Sequence, residues 1–72
     1  MAAEIRAEMV AQVHSVLVEP GTDVVVGDTV LLLESMKMEI PVLCEDGGTV
    51  VEILVEEGEA VSEGQALVVV NP

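Results

Sequence analysis

The chain contains no Phe, Tyr or Trp. Aromatic stacking platforms for nucleic-acid bases are thereby excluded, and any core has to be assembled from Val, Leu, Ile, Ala and Met. Basic residues are almost as scarce: Arg6 and Lys37 stand against 14 acidic residues, for a formal charge of −12. Such a surface repels phosphate backbones and anionic lipid, so neither nucleic acid nor membrane is expected as a partner. The acidic residues read as a solvated face that keeps the protein soluble. One cysteine, Cys44, cannot form an internal disulfide, which fits a reducing cytoplasm. One histidine, His14, leaves no Ser-His-Asp triad and no His/Cys metal set. The longest apolar runs, "IPVLC" and "ALVVV", are five residues long, against the roughly 20 that a spanning helix requires. The start "MAAEIRAEMV" carries Glu4 and Glu8 without a long apolar stretch, so it does not read as a signal peptide. The expectation is a soluble, cytoplasmic, monomeric protein.

What is present points to β-structure. Seventy-two residues are expected to form one domain, residues 1–72, and 51% apolar residues argue against a disordered acidic tail. Val alone fills 16 positions, and β-branched side chains pack best on a pleated surface. The chain is also written twice. "AQVHSVLVEPGTDVVVGDTVLLLES" (Ala11–Ser35) aligns without a gap on "GTVVEILVEEGEAVSEGQALVVVNP" (Gly48–Pro72) at an offset of 37, with seven identities in 25 positions. Among them Gly21 matches Gly58 and Gly27 matches Gly64. Two copies are too few for a repeat array, so one unit is expected to close against the other.

Each unit reads as a strand, a Gly turn, a very short strand, a second Gly turn and a further strand. The four matched glycines are expected at positive φ or at a bulge. With "EIRAEMV" before the first unit and "MEIPVLC" before the second, about eight short strands result, the pattern of an all-β sandwich or barrel. "TVLLLES" and "ALVVVN" are too apolar for clean alternation, which suggests burial on both faces there.

Lys37 lies in "ESMKMEI", at the link between the units. If "TVLLLES" and "MEIPVLC" pair as antiparallel neighbours, Lys37 is the tip of a hairpin, projecting clear of the sheet. Nothing else in the chain could use it as a local catalyst. The chemistry that suits an isolated, exposed amine is acylation by another enzyme.

These residues carry a resemblance. Ser35, Met36, Lys37 and Met38, Gly27 ten residues before the lysine, and the trailing "GTVVEILVEEGEAVSEGQALVVV" resemble the biotinyl (biotin carboxyl carrier) domain family over nearly the whole chain. The resemblance implies an all-β flattened barrel of two four-stranded antiparallel sheets with an internal quasi-two-fold repeat. It implies biotin joined to Lys37 through an amide, with the chain ends at the opposite pole. It further implies a non-catalytic carrier: a substrate of biotin protein ligase, then a shuttle of carboxylate from a biotin carboxylase to a carboxyltransferase. In that scheme the Lys37 amine, deprotonated at the ligase, attacks the acyl carbon of biotinyl-adenylate, and AMP leaves as the acyl–phosphate bond breaks. Amide formation removes one positive charge, taking −12 to −13. The Val18–Val24 segment is too short for the protruding thumb of some bacterial carriers, and no Ala/Pro-rich linker stands before Ile5. The chain therefore is most similar to small stand-alone biotinylated proteins, and the reading as the terminal piece of a longer carboxylase stays open beside it.

Other readings stay open. A lipoyl carrier domain shares the fold and the tip lysine, although its tip is usually Asp-Lys-Ala rather than Met-Lys-Met. A biotinylated sink that regulates the ligase, or an acidic protein that binds basic partners, needs no carboxylation role. Met36 and Met38 suit either core packing or an adaptable contact with enzyme surfaces. Glu34 and Glu39 read as solvated, with Glu34 a candidate for ligase recognition. Cys44 falls in register with Ile40 and Val42 and reads as a buried small side chain, and His14 as a strand-surface residue.

Overall fold

The structure, a computed structural model, describes residues 2–72. Among the described residues every regular element is a strand: β1 (Ala3–Arg6), β2 (Ala11–Val16), β3 (Asp23–Val24), β4 (Thr29–Ser35), β5 (Met38–Leu43), β6 (Gly48–Ile53), β7 (Ala60–Val61) and β8 (Ala66–Asn71). They form two four-stranded antiparallel sheets, in the orders β1-β8-β6-β3 and β5-β4-β2-β7. A shift of 37 residues turns β1 to β4 into β5 to β8 and exchanges the two sheets. The expected sandwich with internal two-fold symmetry is therefore the observed one.

The backbone hydrogen bonds carry the symmetry further than the identities do. The N–H of Gly27 donates to the carbonyl of Cys44 at 2.9 Å, and the N–H of Cys44 to Asp28 at 2.8 Å. Their counterparts run from Gly64 to Ala7 at 2.8 Å and from Ala7 to Gln65 at 2.9 Å. Turns are closed in the same places by unlike side chains. Thr22 Oγ1 accepts from the N–H of Glu19 at 3.1 Å, and Glu59 Oε1 from that of Glu56 at 3.1 Å. Asp28 Oδ2 accepts from Val25 at 2.9 Å, and Gln65 Oε1 from Ser62 at 3.0 Å. What repeats is an acceptor three residues on from an orphan N–H, not a residue type. Gly21, Gly27, Gly58 and Gly64 all take positive φ, from 86° to 95°, in the left-handed half of the map that glycine enters without steric cost.

The core is a single cluster centred on Val13, Val30, Leu31, Leu33, Val50, Leu67, Val68 and Val70. Val24 and Val61 anchor the two shortest strands by burial. Successive residues Val30 and Leu31 are both fully buried, as are Leu67 and Val68. The double-faced burial expected from the sequence is not the cause. A register shift between Thr29 and Leu31 in the β4–β5 ladder, and its counterpart opposite Ile5 and Arg6, break the alternation and turn two consecutive side chains inward. Leu32 and Val69, which follow, are only half-buried.

The first strand is shorter than "EIRAEMV" suggests. Ala7 is buried and held to the second turn by both of its backbone groups, so the chain bends away and Glu8–Val10 lie exposed outside the ladder. Cys44 occupies the equivalent position and is buried, its Sγ accepting from the N–H of Gly47 at 3.2 Å. The molecule measures 33 × 17 × 17 Å. Because the two-fold relation reverses strand direction between units, the Ser35 end of β4 and the Asn71 end of β8 lie at opposite ends of the long axis.

Candidate functional site

β4 and β5 form the hairpin that the repeat called for. Glu34 pairs with Glu39 and Ser35 with Met38, leaving Met36 and Lys37 as a two-residue loop. Both have positive φ, 53° and 66°. That is the type I′ geometry, whose twist matches the strands and which normally recruits Asn-Gly. For residues with a Cβ the left-handed conformation costs roughly 1 kcal/mol or more each. The sequence thus places a strained pair where an unstrained one would serve the fold better.

The consequence is display. Met36 is 92% exposed and Met38 63%, so the core-packing reading of these methionines is overturned: neither thioether is covered by the domain. Lys37 is exposed between them, while Ser35 is half-buried at the foot of the turn. Among the described residues only two contacts bring a basic side chain onto an acidic one, Arg6 on Glu4 and His14 on Glu39, and neither includes Lys37. Arg6 is further tied to the Gly64 carbonyl at 2.7 Å. Of the two basic side chains one is held on the body of the domain and the other stands free.

Glu34 and Glu39 are exposed and directly opposite each other at the base of the turn. His14 reaches Glu39 from two strands away, Nε2 to Oε2 at 3.5 Å. His14 is the residue skipped in the β2–β4 ladder, and Val51, its counterpart, is skipped in β6–β8. This pairing was invisible in the sequence, where nothing indicates that β2 and β5 flank the same strand. Among the described residues no group of three or more His, Cys, Asp or Glu side chains could hold a metal ion.

If display rather than stability dictates the loop, replacing Met36→Asn together with Lys37→Gly should stabilise the fold. About 1 kcal/mol is expected, a rise in Tm of about 4–8 °C for a domain of this size. Thermal unfolding followed by far-UV circular dichroism measures it. A lower Tm would mean that Met36 and Lys37 make stabilising contacts the geometry does not show.

A two-sheet, two-fold β domain that presents one free lysine on a strained turn defines a carrier class, in which the domain offers a side chain for modification. The comparisons with known proteins agree. Residues 1–70 match the family Biotin_lipoyl, described as biotin-requiring enzyme, and the chain belongs to that family. It is 44% identical to the "Biotinylated protein TB7.3 homolog" of Mycobacterium leprae, over 99% of this chain and all of that protein. It is 38% identical to the "Biotin/lipoyl attachment protein" of Bacillus subtilis, over 88% of this chain and 86% of that one. Among solved structures, urea carboxylase of Kluyveromyces lactis superposes with a TM-score of 0.92 at 28% identity, over 99% of this chain but 6% of that enzyme. The domain is thus related to biotin-dependent carboxylases as a carrier, not as a catalyst.

Proposed function

We propose that Lys37 is the attachment point of covalent biotin, and that the loaded domain carries carboxylate in the cytoplasm between a biotin carboxylase and a carboxyltransferase. The observation that carries this reading is the Met36–Lys37 turn, in which strain and exposure present one unpaired amine in a member of a family described as biotin-requiring. The residues fit the group: a primary amine that enters no ion pair among the described residues is what a ligase needs to form an amide. Bound biotin supplies a ureido nitrogen that accepts and releases carboxylate. The protein's part is to present it. Tethering raises the local concentration of the group at each active site without a tight complex.

Met36 and Met38 are assigned to adaptive contact with those enzymes, since flexible, polarisable thioethers suit surfaces that must fit several partners. Ser35 and Glu34 are assigned to recognition of the turn by the ligase. The test loads the domain with biotin and supplies a biotin carboxylase, ATP and labelled bicarbonate. Carboxylation should proceed, with low apparent affinity. Met36→Leu with Met38→Leu, which is nearly volume-conserving, should leave Tm unchanged and slow carboxylation about ten-fold, equivalent to roughly 1.4 kcal/mol. Failure of any cognate carboxylase to act at saturating domain would overturn the shuttle and favour a biotinylated sink. The name of the Bacillus subtilis relative admits lipoate as well as biotin. Intact mass of the modified protein separates the two.

A further inference from the structure

β1 and β5 are the outer strands of their sheets and do not pair with each other. Between them lies a groove of about 710 Å³. Its lining is itself two-fold: Ile5 answers Val42, Leu33 answers Val70, and Ala7 answers Cys44, each pair separated by 37 residues. Glu8 and Glu45, also counterparts, stand one at either end, with Asp46 beside Glu45. Ile5, Ile40 and Val42 are only half-buried, so the groove exposes part of the apolar inner face of both sheets.

Charge and backbone state what would fill it. Of the groove's ionisable side chains Glu4 and Arg6 neutralise one another, whereas Glu8, Glu45 and Asp46 enter no ion pair among the described residues. The free charge at both ends is therefore negative. β5 carries Pro41, which has no N–H to offer an added strand. β1 has no proline and is paired on one side only, with β8. An extended segment would add to β1 and lay alternate side chains on the apolar floor.

We propose that this groove is a docking site for an extended polypeptide segment of a partner protein, with aliphatic residues at alternate positions and Lys or Arg at both ends. The site lies along the side of the sandwich rather than at the Lys37 turn, so occupancy and display of the lysine are compatible. A segment held there adds affinity by a contact separate from the tip, and the acidic ends speed its approach.

The probe is the nine-residue peptide Lys-Lys-Val-Thr-Val-Thr-Val-Lys-Lys, titrated into the isotopically labelled 72-residue protein and followed by amide chemical shifts. Shifts should be confined to residues 3–8 and 40–46. Glu8→Lys with Glu45→Lys should weaken binding on the order of ten-fold or more, by replacing two attractions with two repulsions. The same peptide with Glu in place of Lys should not bind, nor should one with Ser in place of Val. Equal shifts from the Ser peptide, spread to Glu19, Glu56 and Glu57, would overturn the proposal in favour of unspecific charge attraction. No shift at millimolar peptide would overturn it outright. Concentration-dependent shifts of the same residues without peptide would overturn it by identifying a second copy of the chain as the occupant.

Discussion

Lys37→Arg should abolish biotin incorporation and leave the stability of the domain unchanged within about 0.5 kcal/mol. Lys37 is the only lysine, so modification of a side-chain amine at this turn is all or none. A guanidinium keeps the positive charge and the long stem, but it does not deprotonate to a nucleophile in proteins. Lys37 makes no ion pair among the described residues that the substitution could break. The left-handed backbone at φ 66° imposes the same strain on either side chain. The measurement is intact mass and streptavidin blotting after co-expression with a biotin protein ligase. Wild type should gain one biotin increment and the variant none. Biotin on the variant would remove Lys37 from its assigned role, and a lipoyl increment on wild type would replace the cofactor while keeping the residue.

The sequence carried much of this because duplication makes secondary structure and symmetry redundant. The identities at Val13, Leu17, Val18, Glu19, Gly21, Val24 and Gly27 placed three strands and two turns twice, and the tip lysine followed from where one unit gives way to the next. Less legible was whatever depends on pairing between units. The repeat is silent on β1 and β5, where Ala3 to Ala7 share no identity with Ile40 to Cys44, although their backbones make the same hydrogen bonds. Bulges at Val30 and Leu67 set which residues are buried, yet a bulge is a property of two strands and leaves no mark in one. The exposure of Met36 and Met38 was equally hidden. Methionine is ordinarily a core residue, and only the folded β4–β5 hairpin shows Met36 in its turn and Met38 beside it held outward.

Neither half of the chain should fold alone, despite the internal repeat. Cutting at the turn into Met1–Met36 and Glu39–Pro72 separates β1–β4 from the strands that follow. Six ladders hold the two sheets, and four of them cross the cut: β1 with β8, β2 with β7, β3 with β6, and β4 with β5. Each fragment keeps one ladder, β2 with β4 or β6 with β8. An isolated two-stranded ladder is at best marginal in water. Each fragment would also expose its share of a core that is a single cluster drawn from both units, with Val13, Val30, Leu31 and Leu33 on one side and Val50, Leu67, Val68 and Val70 on the other. Separately the fragments should give narrow amide dispersion in NMR spectra. Mixed in equal amounts they should recover the dispersed spectrum of the intact domain, since only then are the four crossing ladders available. A well-dispersed spectrum from either fragment alone would mean that a unit satisfies its own edges and core. The exchange of strands between units could then not be what holds the Lys37 turn in place.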